Sequence, residues 1–135
     1  MRGHARRVLS SVRELPWDGY SSLMADIFRH RGHDVYAGDG PDSDVIDLEY
    51  FDGDARLLVN YQLRGMRQIS IAPLEEMAVV RERNGAARVL LITDGDFSPE
   101  AHRFAADHLL TLVDGEALLE LVLDLTLKRS KAPVN

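Results

Sequence analysis

One short segment constrains the fold more than any other. Residues 88–93 read Arg-Val-Leu-Leu-Ile-Thr, with four consecutive apolar residues from Val89 to Ile92. A strand with one face in water alternates apolar and polar residues, whereas an uninterrupted apolar run is typical of a strand buried on both faces. Such a strand needs helices on both sides of its sheet. The segment therefore favours an α/β domain with a central sheet.

The elements predicted around this strand fit that class. Apolar residues at three- and four-residue steps predict helices that begin at Trp17, Pro73, Pro99 and Glu116. The segments 45–51 and 56–63 flank Asp52-Gly53-Asp54 and predict a β-hairpin, and 109–113 predicts another strand. A hairpin requires an antiparallel pair, and strand-helix-strand units supply parallel pairs. We expect a central mixed sheet flanked by helices.

The length of 135 residues fits one domain. We divide it into a basic N-terminal extension at 1–15, the folded domain at 16–128 and a disordered tail at 129–135. The first thirteen residues contain four arginines and no acid, which is why they are assigned to an extension.

Charge is distributed unevenly along the chain. The net charge is −6, yet eight of the acids lie between His33 and Asp54, where there is no lysine or arginine. The remaining chain has 16 basic and 14 acidic residues. Overall charge therefore does not exclude a nucleic-acid partner.

Several classes of protein are excluded by composition. The chain has no cysteine, which excludes disulfides, thiolate zinc sites and cysteine nucleophiles. No apolar run is long enough to span a membrane, and the start does not resemble a secretory signal, so we expect a cytoplasmic protein without membrane contact.

Two metal-like patterns have simpler interpretations. His30 and His33 are three residues apart, but the predicted helix ends between them at Gly32, and surface histidines are the preferred interpretation. The aspartates at 39, 42 and 44 lack the spacing and closing Glu of a calcium loop, so a solvated acidic loop is preferred.

The hairpin carries the main candidate site. Strand alternation places Asp47 and Glu49 on one face of the first strand, and Asn60, Gln62 and Arg64 on one face of the second. If pairing joins these faces, a carboxylate pair lies beside two amides and a guanidinium. Repulsion between the carboxylates would then raise the pKa of Asp47. A polar, solvent-facing side of a hairpin is the alternative.

Five short segments follow one another along the chain: Gly32-His33-Asp34-Val35, Val45-Ile46-Asp47-Leu48, Val59-Asn60-Tyr61-Gln62, Thr93-Asp94-Gly95-Asp96-Phe97-Ser98-Pro99-Glu100-Ala101 and Val113-Asp114-Gly115-Glu116-Ala117-Leu118. Together they resemble the Mrr-type restriction endonuclease domain. The corresponding motifs of that family are "Gly-Tyr-x-Val", "Gly-Val-Asp-Leu", "Val-Gln-x-Lys", "Thr-x-Gly-x-Phe-Thr-x-x-Ala" and "Ile-Asp-Gly-x-x-Leu". The five segments occur in the family's order between Trp17 and Val122, and the resemblance implies a single restriction-endonuclease-like domain.

The resemblance also implies a site and shows where this chain departs from it. In such nucleases an Asp and a Gln or Glu bind Mg²⁺ and a Lys helps to activate water. Asp47 matches the metal-binding Asp, but the triplet reads Asn60-Tyr61-Gln62 and lacks the Lys. The helix acid of the family is replaced by Ser21. Glu49 and Arg64 are possible compensators, although an arginine stays protonated and replaces a lysine poorly.

We therefore predict a catalytically degenerate relative that binds DNA, with no cofactor or with Mg²⁺ held weakly at Asp47. Arg64, Arg67 and the N-terminal arginines are the predicted phosphate contacts. Two alternatives stay open: a protein-interaction or scaffold module without DNA binding, and a weak Mg²⁺-dependent endonuclease that uses Asp47 and Glu49.

The last helix predicts an assembly. One apolar stripe along it suffices for docking on the sheet. Leu119, Leu123 and Leu127 form a second stripe at four-residue steps. Since monomers generally avoid exposed apolar patches, we predict a homodimer through Leu119 and Leu123; burial of the stripe within the chain is the alternative.

Overall fold

The computed structural model describes residues 3–130, and the side chains up to residue 127. Its helices and strands have the following bounds: α1 Gly3–Glu14, α2 Trp17–His30, β1 Tyr36–Ala37, β2 Leu48–Asp52, β3 Ala55–Asn60, β4 Gln68–Ile69, α3 Ile71–Arg83, β5 Arg88–Ile92, β6 Asp96–Phe97, α4 Pro99–Asp107, β7 Leu110–Val113 and α5 Gly115–Ser130. Within this part of the chain no helix is both long enough and apolar enough to cross a membrane.

The central sheet is mixed, as the sequence predicts. Its strand order is β1-β2-β3-β5-β7, with antiparallel pairs at β1–β2 and β2–β3 and parallel pairs at β3–β5 and β5–β7. The turn of the β2–β3 hairpin contains Gly53 at φ +62°, a left-handed conformation that glycine adopts without strain. Strands β4 and β6 form a separate parallel pair.

Strand β5 is covered on both faces, which confirms the interpretation of its apolar run. Ile92 belongs to a core shared with α1, α2 and α5, whereas Val89 and Leu91 belong to a second core shared with α3 and α4. Helices therefore cover both sides of the sheet, and the predicted α/β class is confirmed.

The N-terminal segment differs from the predicted extension. Residues 3–14 form helix α1, and its Leu9 and Val12 are buried in the core with α2 and α5. These apolar residues lie among the arginines at helical spacing, so the basic composition hides an amphipathic helix. At the other end, Arg129 and Ser130 continue α5, and the rest of the predicted disordered tail, 131–135, lies outside the described residues.

Helix α1 also explains the second apolar stripe of α5. Leu119 is only 6% exposed, and Leu123 is partly buried against the same core as Leu9. Leu127 is 55% exposed. Of the two leucines predicted to form a dimer interface, Leu119 is thus buried and Leu123 partly buried within the chain, because the residues assigned to an extension pack against α5.

Candidate functional site

The parallel strands β3, β5 and β7 end at the same edge of the sheet. The chain leaves them at Tyr61, Thr93 and Asp114, respectively. Ligands of open α/β sheets generally bind outside the carboxyl ends of the strands. Asp47, Asn60 and Gln62, which the sequence predicts for the candidate site, lie at this edge.

Asp47 lies one residue before β2, and its backbone and side chain form hydrogen bonds with the end of β3 and the residues that follow it. Its backbone N–H donates to the Val59 carbonyl at 2.9 Å. Both carboxylate oxygens accept hydrogen bonds: Oδ2 from the Tyr61 backbone N–H at 2.8 Å and Oδ1 from the Gln62 side-chain amide at 2.9 Å. The Gln62 amide also donates to the Asp44 carbonyl at 2.7 Å. Asp47 is thus capped by neutral donors of its own chain.

The ionisation of Asp47 reflects two opposed effects. Burial raises the pKa of the Asp47 carboxyl because it disfavours the charged form, and the hydrogen bonds from Gln62 and Tyr61 lower it. Burial prevails. The pKa shift has the direction expected from the sequence, but its cause is desolvation rather than repulsion by Glu49.

Asn60 is buried, and its side chain forms hydrogen bonds with nearby backbone groups. Its amide donates to the Val45 carbonyl at 2.9 Å and lies 3.9 Å from the Met77 sulfur, and its Oδ1 accepts from the Gln62 N–H at 3.3 Å. These contacts fix the chain between the hairpin and helix α3. Asn60 makes no hydrogen bond to Asp47 among those of the described residues.

Glu49 does not join Asp47. Its Oε2 accepts from Arg56 Nε at 2.9 Å and from Arg56 Nη2 at 2.5 Å, across the β2–β3 pair. Arg56 also donates to the Asn84 carbonyl at the end of α3. Strand alternation suggested a carboxylate pair, but Asp47 precedes the strand and turns to Tyr61 and Gln62. Glu49 therefore forms an ion pair with Arg56 and is poorly placed to replace the missing second metal ligand.

Arg64 is also engaged elsewhere. Its Nη1 donates to the Leu15 carbonyl at 2.6 Å, and its guanidinium lies 4.4 Å from the centre of the Tyr20 ring. A cation over an aromatic face is attracted by the ring's electron density. Arg64 thus links the α1–α2 connection to the carboxyl edge of the sheet. This contact differs from its two predicted roles, as a replacement for the missing lysine and as a phosphate contact. Arg67, three residues on, is exposed.

Three aromatic residues fill the side of the site next to α2. The Tyr61 ring lies 5.4 Å from Trp17 and 5.7 Å from Tyr20, measured between centroids. The Tyr61 hydroxyl interacts with the Ser21 side chain, at the position that matches the family's helix acid. Tyr20 is fully buried and its hydroxyl has no hydrogen-bond partner within the described part of the chain. Where the resemblance predicts a carboxylate, this chain has Ser21 beside the Tyr61 phenol.

The turn after β5 is a second polar centre that sequence reasoning missed. Asp94 is 4% exposed; its Oδ2 accepts from Arg13 Nε at 2.5 Å and its Oδ1 from the Gly65 N–H at 2.8 Å. The next residue, Gly95, packs against the 65–67 loop so closely that an added Cβ would lie 2.1 Å from the Met66 carbonyl oxygen. The segment Thr93–Ala101 carried the resemblance, but no role was assigned to Asp94.

A cleft of about 750 Å³ opens beside this turn, between α1, the 65–67 loop and the beginning of α5. Arg13 and Arg67 supply its positive charge, and Asp96, Glu116 and Glu120 supply exposed acids. Its apolar part is lined by Ala5, Leu9, Leu119 and Leu123. The cleft combines apolar and charged surfaces.

The residues of the site do not fit the Mg²⁺ that the nuclease fold implies. Nowhere in residues 3–130 is there a group of three or more histidines or carboxylates placed to hold a metal ion. Both oxygens of Asp47 are capped, and the triplet supplies two amides without a second acid. Hard divalent cations prefer several oxygen ligands, most of them carboxylates or waters. A metal at Asp47 would share the carboxylate with the Tyr61 N–H and the Gln62 amide and would have no second acid from the triplet.

The other metal-like patterns have structural roles. His30 Nε2 lies 3.7 Å from Asp124, and the His33 ring lies 4.5 Å from the Tyr50 ring. Asp42 is buried and bonded to Arg83 and Asn84, and this contact lowers the pKa of Asp42 and fixes the acidic loop to α3.

Sequence comparison agrees with this fold. Residues 12–122 match the Mrr catalytic domain, a restriction endonuclease family. The chain belongs to the Mrr restriction endonuclease family. No curated protein sequence is found to match it.

Two solved structures are similar. A protein of unknown function, AF1548, is 14% identical with a TM-score of 0.62; the match covers 78% of this chain and 64% of AF1548, so this chain spans less than two thirds of that protein. The MspJI restriction endonuclease, solved with a 27-mer oligonucleotide, is 23% identical with a TM-score of 0.44; the match covers 89% of this chain and 27% of MspJI. The first likeness supports the fold alone.

Proposed function

We propose that this Mrr-family domain binds DNA without cleaving it. The observation that carries the proposal is the capped carboxylate: Asp47 accepts from Tyr61 N–H and from the Gln62 amide, where the family has a metal ligand and a lysine. A neutral amide cannot take or release a proton during hydrolysis, nor can it offset charge on a phosphodiester transition state. The fold and Asp47 are retained, whereas Asn60 and Gln62 replace the second metal ligand and the lysine of the family's triplet.

Family membership supports a nucleic-acid partner. At the carboxyl edge of the sheet, Arg67 is exposed, and half of the Arg13 side chain is exposed beside Asp94. Exposed guanidinium groups bind phosphate oxygens and fix the register of a protein on a duplex. We assign phosphate contacts to Arg67 and to the exposed arginines of α1, and no longer to Arg64.

Fluorescence anisotropy with a 30-base-pair duplex tests this proposal. We expect binding in EDTA that weakens as salt rises, because phosphate contacts release counterions. Arg67→Gln should weaken binding and flatten the salt dependence, whereas the matched variant Arg103→Gln, on α4, should not. Absence of binding at low salt, or equal effects of the two variants, would refute the assignment.

A second candidate, a protein-interaction module, is favoured by one observation: four exposed aspartates around β1 and the hairpin turn, Asp34, Asp39, Asp52 and Asp54, have no ion-pair partner among the described residues. A wild-type chain that binds a partner protein but does not bind DNA would favour this function. The homodimer through Leu119 and Leu123 stays a prediction for light scattering to test; Leu119 packs in the core that includes α1, and Leu127 of the same stripe is exposed.

A further inference from the structure

The edge strand β1 has an exposed aromatic pair beside it. Tyr36 is 52% exposed and Phe51 of β2 is 47% exposed. Their ring centroids are 6.4 Å apart in an edge-to-face arrangement. Tyr36 pairs with Glu49, and Glu49 and Phe51 are two residues apart, so all three side chains lie on one face of the sheet. This face is left uncovered at its outer margin.

The backbone beside this pair is also open. Strand β1 is the last strand of the sheet and consists only of Tyr36 and Ala37, which pair with Glu49 and Leu48 of β2. On the other side of β1, no strand from residues 3–130 pairs with it. Unpaired backbone groups at a sheet edge are a template for an added strand.

Negative charge surrounds the aromatic pair. Asp34 and Asp39 flank β1 along the chain, and Asp52 and Asp54 lie at the hairpin turn beyond Phe51; all four are exposed. None of them forms an ion pair or a side-chain hydrogen bond within the described residues, in contrast to Asp42 and Glu49 nearby. Arg56, opposite Phe51, is neutralised by its ion pair with Glu49, and Arg31 lies near Tyr50, whose side chain is on the other face of β2. Four unpaired aspartates therefore dominate the charge near the aromatic pair, and an excess of one sign attracts the opposite charge and repels DNA.

We propose that this edge, defined by Tyr36, Ala37 and Phe51, binds an extended basic segment of a partner protein, which adds as a strand beside β1. Strand addition takes its affinity from main-chain hydrogen bonds and its specificity from alternate side chains. Apolar side chains of the segment would pack on the aromatic pair, and its lysines or arginines would face the four aspartates. A second copy of this chain is a poorer occupant, because its edge would bring the same acids together.

Synthetic peptides test this proposal independently of DNA binding. The probe is a capped decapeptide of alternating Lys and Val, titrated into the full chain at moderate salt and followed by fluorescence anisotropy and amide NMR. We expect the amide signals of Tyr36, Ala37 and Phe51 to shift. A Glu-Val peptide should not bind, and a Lys-Val peptide N-methylated at alternate residues should bind at least about fivefold more weakly, since it lacks main-chain donors.

Two double variants locate the site. Asp34→Asn with Asp52→Asn removes half of the exposed charge, and Tyr36→Ser with Phe51→Ser removes the aromatic pair; each should weaken peptide binding about fivefold or more. The matched control, Glu76→Gln with Asp107→Asn, removes the same charge from exposed positions on α3 and α4. Circular dichroism verifies that each variant is folded.

Any of four results would overturn the proposal. The first is no binding of the Lys-Val peptide at millimolar concentration. The second is equal binding after N-methylation, and the third is a control variant that weakens binding as much as the edge variants do. The fourth is a concentration-dependent dimer that the edge variants abolish, which would assign the edge to a second copy.

Discussion

The side-chain amide of Gln62 donates to Asp47 Oδ1 at 2.9 Å, at the position that matches the family's lysine. The Tyr61 N–H occupies the other carboxylate oxygen at 2.8 Å. The carboxylate is therefore stabilised by neutral donors within the fold, and the substitution of lysine has left a structural hydrogen bond where the family has a catalytic group.

Removing the Gln62 amide should raise the pKa of Asp47 further. Gln62→Leu deletes a hydrogen bond that lowers this pKa, and burial, which raises it, stays. Carboxyl-carbon NMR titration measures the shift, with Gln68→Leu at an exposed position as the control. An unchanged or lowered pKa of Asp47 would mean that the bond is not formed in solution.

The raised pKa of Asp47 also sets a pH dependence of stability. The folded state binds the proton more tightly than the unfolded chain, so protonation of Asp47 stabilises the fold. This contribution is present below the unfolded pKa of about 3.9 and is lost as pH rises through the pKa of the folded state. Urea unfolding of wild type and Asp47→Asn at several pH values should show that the variant lacks this component. Parallel stability profiles would contradict it.

The Arg13–Asp94 ion pair should contribute to stability. Arg13→Ala leaves the buried Asp94 Oδ2 without its guanidinium partner, at 2.5 Å in the wild type. Because half of the Arg13 side chain is exposed, water can replace part of the interaction, and we expect a loss of about 1–3 kcal/mol in the free energy of unfolding. Arg7→Ala, an exposed position on the same helix, should change it by less than about 0.5 kcal/mol. Equal losses of unfolding free energy in Arg13→Ala and Arg7→Ala would mean that the ion pair adds nothing and that α1 stabilises the fold only through its apolar face.

Glycine is required at residue 95 because of close packing. A Cβ at Gly95 would lie 2.1 Å from the Met66 carbonyl oxygen, and backbone cannot move aside as a flexible side chain can. We expect Gly95→Ala to cost about 3 kcal/mol or more. The control is Gly19→Ala in α2, where the nearest atom lies at 3.7 Å and alanine should stabilise the helix by about 0.5–1 kcal/mol. Thermal unfolding of both variants tests the contrast, and a neutral Gly95→Ala would contradict it.

Coverage of α5 by α1 gives a prediction about Leu119. Leu119→Ala should lower the free energy of unfolding by about 2–5 kcal/mol, because it leaves a cavity in the core, whereas Leu127→Ala at an exposed position should have little effect. Chemical denaturation at two protein concentrations separates burial from assembly. A loss that depends on protein concentration would restore Leu119 to a dimer interface.

The sequence predicted the elements whose signals are local. The apolar run at 89–92 and the Asp-Gly turn at 52–53 identify β5 and the hairpin. Ser98, directly before Pro99, is a residue type typical of helix caps, and its Oγ accepts from the Ala101 N–H at 3.0 Å. Family membership was recognisable from five short motifs in order. These features depend on neighbours along the chain, and a sequence shows those directly.

The sequence could not show partners that come from distant segments. The pairing of Glu49 with Arg56 depends on the hairpin register, and the positions of Arg64 and Asp94 depend on where α1 packs. The N-terminal segment was interpreted from its arginines alone, so the helical spacing of Leu9 and Val12 was overlooked. A helical-periodicity test of the first fifteen residues could have found α1, and with it the cover of Leu119.

Plasmid cleavage tests most directly whether hydrolysis has been lost. Supercoiled DNA is incubated with wild type and Asp47→Ala in Mg²⁺ or Mn²⁺, at protein concentrations that saturate DNA in the anisotropy titration. We predict bound but intact plasmid for the wild type, with no nicked or linear product above a protein-free control. Cleavage by the wild type that disappears in Asp47→Ala would contradict the proposed function and show that Asp47 still serves catalysis.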